Sequence, residues 1–265
     1  MGKRRQGLFD ARTWLPAAGV ILLAVVVGAM TTIALRPTPG ASGVANYTPR
    51  PPASPSGSAS IGSALLTMPT SPSLLIVGDS YTQGYAAEPE TSNGWAYLSA
   101  QALGWNHVID GAGGTGFTYA GGDNNNGPGT FSTRIQHLAD SGTFAPNLVV
   151  LQGGHNDWRG SASELQAAVS ATVEQVRNTW PGVQVVVVGP VAGNGAFMTD
   201  VDTTMRTAAR SVSAPYISPL GEHWFDQSAF GKLIIADGTH LNNEGHAEFA
   251  SHFVADYQKL FTNAP

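Results

Sequence analysis

The sequence contains no cysteine. That excludes disulfides, thiolate metal sites and a cysteine nucleophile, so an exported form of this chain has to stand on its hydrophobic core. Charge is also scarce, at 12% of the 265 residues. Basic side chains are scarcer still from residue 73 onward, where 7 Lys and Arg face 17 Asp and Glu for a formal charge of −10. An acidic, glycine-rich domain without a basic stripe argues against nucleic acid as a partner. A phosphate loop is missing as well: Gly113-Gly114-Thr115-Gly116 is not followed by Lys and Ser or Thr. No set of carboxylates has the arrangement of a metal site, and neither a metal nor a cofactor is expected.

Hydrophobic residues make up 42% of the chain, enough for a sizeable core, while 32 Gly and 17 Pro imply many turns. The N-terminal part differs from the rest. Residues 1–13 are polar and basic, and residues 1–36 hold five basic side chains against Asp10 alone. Leu15 to Leu35 is then a run of 21 residues without a charge, which as a helix spans roughly 31 Å, about one hydrocarbon thickness. A basic flank before such a run is retained in the cytoplasm. Residues 14–35 are therefore expected to be a transmembrane signal-anchor, with a long signal peptide and a secreted protein as the alternative. Residues 36–72 are rich in Pro, Ser, Thr and Ala, a linker composition that cannot build a core. Whether Ile61–Met68 packs on the following domain is left open by the sequence. Residues 73–265 form the expected catalytic domain.

Within that domain the organising stretch is residues 74–84. Leu74 to Val77 is a short apolar run, broken abruptly by Gly78, Asp79 and Ser80. Such a run ending in a turn fits a central parallel strand covered on both faces. Further apolar runs lie at 107–112, 148–151, 183–189 and 215–220, with helical patterns at about 94–104, 131–140, 161–180, 199–212 and 243–261. Ser161-x-x-Glu164 is a capping-box signal for the third helix. Five strands alternating with helices predict a three-layer α/β/α sandwich on a five-stranded, mostly parallel sheet. In open α/β sheets ligands sit at the carboxyl ends of the strands, which is where Ser80 stands. The loop from Gly121 to Gly129 is either a rim over that site or a surface turn.

A serine after a strand is more often a helix cap than a nucleophile, and a nucleophilic serine needs an oriented base. Asp237-Gly238-Thr239-His240 supplies one: a four-residue turn brings the carboxylate to one imidazole nitrogen and leaves the other for Ser80. His246 is the competing base, though it lacks a carboxylate three residues before it. A tetrahedral intermediate also needs donors. Asp110-Gly111-Ala112-Gly113-Gly114-Thr115-Gly116 offers backbone N–H groups after the second strand, and Gly153-Gly154-His155-Asn156-Asp157 offers the Asn156 amide after the third. Asp79 reads as a turn former, Asp157 as a support for the Asn156 loop, and His155 as pocket lining or structure. Trp95, Trp158, Trp224 and Phe225 read as core, or else as an acyl or sugar surface.

Gly78-Asp79-Ser80, the second glycine turn, Gly154-His155-Asn156-Asp157 and Asp237-x-x-His240, in this order, resemble the SGNH hydrolases, a branch of the GDSL esterases and lipases, in a membrane-anchored bacterial form. The resemblance spans about residues 73–265. It implies a flavodoxin-like fold, Ser80 as nucleophile, His240 as general base and Asp237 as its orienting carboxylate. It also implies an oxyanion hole from the Ser80 N–H, a glycine N–H and Asn156. Gly114 is taken as that glycine, with Gly113 beside it as the alternative. The second motif departs from the family in carrying Asp110 where members often have Asn. The serine is not in the Gly-x-Ser-x-Gly elbow of the α/β-hydrolases. The expected protein is thus an extracytoplasmic serine esterase acting on small-molecule or polysaccharide esters, with a monomeric catalytic domain. Acyl transfer to a sugar hydroxyl and an inactive carbohydrate-binding domain are the rival expectations. Which ester is attacked is not written in these motifs.

Overall fold

The structure is a computed structural model that describes residues 66–191, 196–225, 228 and 230–261. The expected basic terminus, signal-anchor and most of the linker lie outside the described residues. Among the described residues no helix is long and apolar enough to cross a membrane.

Five strands carry the domain: β1 (Ser73–Gly78), β2 (Asn106–Gly111), β3 (Leu148–Gln152), β4 (Gln184–Val188) and β5 (Tyr216–Ile217). All four ladders are parallel and the order is β2-β1-β3-β4-β5. This is the flavodoxin-like order, whose switch point lies between β1 and β3. The helices are α1 (Ser80–Gln83), α2 (Glu90–Asn93), α3 (Trp95–Leu103), α4 (Phe131–Ser141), α5 (Ala162–Thr179), α6 (Ala196–Ser211) and α7 (Asn243–Lys259).

Alternating strand residues feed two separate cores. Leu74, Ile76, Leu148, Val150, Val186 and Val188 pack with Trp95 of α3 and Phe249, Phe253 and Tyr257 of α7. Leu75, Val77, Val149, Leu151, Val185 and Val187 pack on the other face with Phe131 and Ile135 of α4, Val169 and Val173 of α5, and Met205 of α6. Because both faces are covered, the central strands read as unbroken apolar runs. Each such buried side chain contributes about 1.5–3 kcal/mol.

Helix ends follow local chemistry. The capping box forms in full: Ser161 Oγ accepts from the Glu164 N–H at 3.2 Å and Glu164 Oε2 accepts from the Ser161 N–H at 2.8 Å. Asn242 caps α7 by accepting from the Gly245 N–H. β5 is shorter than the 215–220 run because Pro215 and Pro219, which have no N–H, bracket it. The end of the Ile61–Met68 stretch packs on the domain: Leu66 is buried, bridges to Phe261 and donates its N–H to the Leu260 carbonyl at 2.7 Å.

Two glycines set where the site lies. A Cβ on Gly78 would stand 2.1 Å from Thr82 Oγ1 and 2.8 Å from the Gln152 carbonyl, and one on Gly111 would stand 2.0 Å from the Gln83 nitrogen. Only glycine lets α1 lie down across the ends of β1 and β2. That contact brings the first residue of α1 to the rim of the sheet.

Candidate active site

Ser80 is the first residue of α1 and is buried. The cap is its neighbour: Asp79 Oδ1 accepts from the Tyr81 N–H at 2.9 Å. The serine hydroxyl is thereby left for other use. Its backbone N–H is at a helix start, where no intrahelical acceptor exists.

The partner arrives from 160 residues away. His240 Nε2 is 2.9 Å from Ser80 Oγ, and His240 Nδ1 is 2.6 Å from Asp237 Oδ2. The other oxygen of Asp237 accepts from the Thr239 N–H at 2.9 Å and the His240 N–H at 3.0 Å. One carboxylate therefore folds the turn and aims the ring. Slight burial works to raise the Asp237 pKa, but the hydrogen bonds from the His240 side chain and the two N–H groups outweigh it and hold the carboxyl below its usual value. Hydroxyl, imidazole and carboxylate joined in this order can pass a proton from oxygen to nitrogen.

His246, the competing base, is fully buried and has both ring nitrogens engaged. Nδ1 accepts from the Trp95 N–H and Nε2 donates to the Tyr85 carbonyl, each at 3.2 Å. Burial lowers its pKa to about 4, so it stays neutral and structural.

The two glycine-rich loops meet beside Ser80. Asn156 is buried and its Nδ2 donates to the Thr115 carbonyl at 2.9 Å; the second N–H of that amide is left for a ligand. Gly113 and Gly114, the two candidate glycines, follow one another in this turn beside the serine. A Cβ on Gly113 would lie 3.8 Å from Ser80 Cβ, whereas one on Gly114 would meet only Gly121 Cα, at 3.8 Å. The Gly113 N–H donates to Gln83 Oε1 at 2.9 Å. The 121–129 loop, held by Gly127 N–H to the Gly121 carbonyl at 2.7 Å and Gly129 N–H to the Ala120 carbonyl at 3.0 Å, packs behind Gly114.

Three further side chains build the site and were not singled out from the sequence. Arg134, buried on the apolar face of α4, forms an ion pair with Asp110 at 2.9 Å and donates to the Gly78 carbonyl at 3.0 Å and Thr115 Oγ1 at 2.8 Å. Asp110, in the departed family position, thus ties the second loop through an arginine. Tyr81 and Tyr85 place their rings 5.7 Å and 4.5 Å from the His240 ring. An arginine between Phe131 and Ile135 on one helical face was the available hint.

The bland readings hold for most of the rest. Asp157 is buried and accepts from the Thr118 N–H at 2.7 Å and the Thr118 hydroxyl at 2.8 Å, which supports the Asn156 loop. Trp95, Trp224 and Phe225 are core, while Trp158 is exposed. His155 is half-buried with its ring edge on Tyr81, and burial, the nearness of His240 and that of Arg159 lower its pKa. Among the described residues no cluster of His, Asp or Glu has metal-binding form.

A family model described as GDSL-like lipase/acylhydrolase matches residues 76–248. No curated protein matches the chain. Among solved structures, a family two carbohydrate esterase from Clostridium thermocellum is 18% identical with a TM-score of 0.58, over 72% of this chain and 65% of that one. A carbohydrate acetylesterase from Sinorhizobium meliloti is 17% identical with a TM-score of 0.55, over 72% of this chain and 100% of that one. An aryl esterase from M. smegmatis is 18% identical with a TM-score of 0.52, again over 72% and 100%. At these identities the likeness is one of fold.

Proposed function

Because the chain belongs to the GDSL-like lipase/acylhydrolase family and is thereby a carboxylic ester hydrolase, we propose that it removes acetyl or other short acyl groups from carbohydrate or lipid through an acyl-Ser80 intermediate. The observation that carries this is the relay from Ser80 Oγ to His240 Nε2, 2.9 Å, and from Nδ1 to Asp237 Oδ2, 2.6 Å. Ser80 Oγ attacks the ester carbonyl as its proton passes to His240 Nε2. The oxyanion is met by the Ser80 N–H, the N–H of Gly114 or of Gly113 in the turn after β2, and the second N–H of Asn156. Collapse breaks the ester C–O bond, and the alcohol leaves with the proton from His240. Water then attacks the acyl-enzyme, His240 takes its proton and returns it to Ser80, and the acid departs.

Two of the folded neighbours are described as carbohydrate esterases and one as an aryl esterase, which supports short acyl esters of ring-bearing alcohols as first substrates to try. The basic flank and the uncharged run Leu15–Leu35 support a single-pass anchor with the domain outside the cytoplasm.

The test is hydrolysis of 4-nitrophenyl acetate and labelling by a fluorophosphonate. Both are expected in the native chain and absent in Ser80→Ala with the fold intact. Undiminished turnover in Ser80→Ala would overturn the reading. A series of acyl chain lengths beside an acetylated polysaccharide then ranks the substrates.

A further inference from the structure

Tyr81 follows the nucleophile in sequence, yet its hydroxyl is spent on the other half of the relay. Tyr81 Oη donates to the Thr239 carbonyl at 2.8 Å, across 158 residues. Thr239 is the residue before His240, inside the turn that Asp237 closes. Beyond the contacts of the His240 ring with Ser80 and Tyr85, Tyr81 Oη gives the one hydrogen bond from α1 to the backbone of this turn among the described residues. Asp237 is exposed, Gly238 has a φ of +75° with nothing within 4 Å of where its Cβ would be, and the hydrogen bonds of Asp237 are internal to the turn.

Tyr81 itself is anchored firmly. It is 1% exposed, its N–H is held by Asp79, and its ring lies between those of His155, at 5.5 Å, and His240, at 5.7 Å. Burial, with the charges of Asp79 and Asp237, raises its phenol pKa far above the ordinary value, so it remains a donor at every working pH. The neighbouring exposed Tyr85 also touches His240, with its ring at 4.5 Å, but no hydrogen bond joins its side chain to the turn among the described residues. A comparison is thus built into the site: one tyrosine with a tether and one without.

Resting on the proposed ester hydrolysis, we infer that Tyr81 is a positioning residue: its hydroxyl, through the Thr239 carbonyl, fixes the distance between the His240 ring and Ser80. The segment that carries the nucleophile thereby places its own base. Nothing in the step touches substrate, so the hydroxyl should act on turnover and leave binding alone. A misplacement near 1 Å at a reacting group costs up to about a hundredfold in rate.

The experiment compares Tyr81→Phe, Tyr85→Phe and Ser80→Ala in the full-length chain, reading kcat and KM on 4-nitrophenyl acetate, the thermal midpoint, and the downfield proton resonance of the His240–Asp237 hydrogen bond. Tyr81→Phe is expected to lower kcat at least about tenfold with KM within about twofold, and to broaden the downfield proton. Tyr85→Phe, with no hydrogen bond to the turn to lose among the described residues, is expected to lower kcat less than Tyr81→Phe does and to leave the downfield proton sharper. An unchanged kcat in Tyr81→Phe, or an effect on KM alone, overturns the tether. Should Tyr81→Phe not fold, 4-fluorophenylalanine at the same position fills the hydroxyl's volume without donating, and carries the same comparison. Failure of both to fold assigns the hydrogen bond to stability and overturns the positioning role. If Ser80→Ala keeps full activity it is the esterase reading that fails, whereas an inactive Ser80→Ala beside an undiminished Tyr81→Phe sinks only the tether.

Discussion

The side-chain amide of Asn156 donates to the carbonyl of Thr115 at 2.9 Å, so the loop after β3 is tied to the glycine turn after β2. One hydrogen of the amide fixes the side chain and the other has no protein acceptor among the described residues. Asn156→Ala removes a preorganised donor without disturbing the strands, and kcat should fall about 10²–10³-fold with KM much less affected. Steady-state kinetics on an aryl acetate check this. A loss confined to KM would mean that Asn156 binds ground state and transition state alike.

The same two loops depend on Arg134. It is 5% exposed and serves Asp110, the Gly78 carbonyl and Thr115 Oγ1 at once. Arg134→Met keeps the volume, strands those acceptors and leaves Asp110 without its cation. Breaking a buried pair costs about 3–5 kcal/mol. The Asp110 side chain retains 27% exposure and water recovers part of its solvation, so about 3 kcal/mol is expected here. For a domain of this size that lowers Tm by roughly 6–12 °C, measurable by calorimetry. Adding Asp110→Asn should recover part of the loss, because no carboxylate then lacks a cation.

The contrast between Arg134 and Ser80 shows what could be read from the chain alone. The central strands were legible because burial on both faces leaves no polar residue to interrupt Leu74–Val77 or Leu148–Leu151. The motifs at Ser80, Gly113–Gly114 and Asn156 were legible because each sits where such a run ends, and Asp237–His240 because a carboxylate stands three residues before the histidine, ahead of α7. The helices α1 and α2 were not, since four residues cannot display a 3.6-residue period. The choice of Gly114 over Gly113 rested on the resemblance, because two adjacent glycines differ only in where the turn after β2 points their N–H groups. Arg134 and the Tyr81 hydroxyl are invisible for another reason: each acts on backbone carbonyls, which any residue supplies, at sequence separations of 56 and 158.

His246 makes a prediction of pH dependence. Its folded pKa is lowered from 6.5 to about 4, mainly by burial. Above 6.5 the ring is neutral folded or unfolded and costs nothing. As pH falls from 6.5 toward 4 the unfolded chain takes up a proton that the folded one refuses, and stability is lost across that window. His246→Gln can still accept from the Trp95 N–H and donate to the Tyr85 carbonyl but cannot ionise. Its thermal midpoint relative to wild type should therefore rise steadily as the pH is lowered from 6.5 to 4. A constant difference over that range would show that His246 titrates freely.

Asp79 predicts the opposite slope over much of the same range. It is 0% exposed, and burial, aided by the nearby Asp157, pushes its pKa from 3.8 up to about 7 against the hydrogen bond from the Tyr81 N–H. Its Oδ2 has no hydrogen-bond partner among the described residues, a setting in which a charged carboxylate costs more than a neutral carboxyl. Below 3.8 the carboxyl is protonated folded or unfolded. As pH rises from 3.8 to about 7 the unfolded chain releases a proton that the folded one retains, so stability falls, and above about 7 the loss is complete. Asp79→Asn keeps an oxygen for the Tyr81 N–H and has no charge to bury. Its midpoint should gain on wild type as pH rises toward 8, the reverse of the His246→Gln trend. A gain that grows toward acid instead would mean that Asp79 is ionised in the folded protein and held by a cation. Because this carboxyl caps the helix that begins with Ser80, the same variant also separates the fold of that turn from its chemistry: kcat should survive the substitution if the cap requires only an acceptor oxygen.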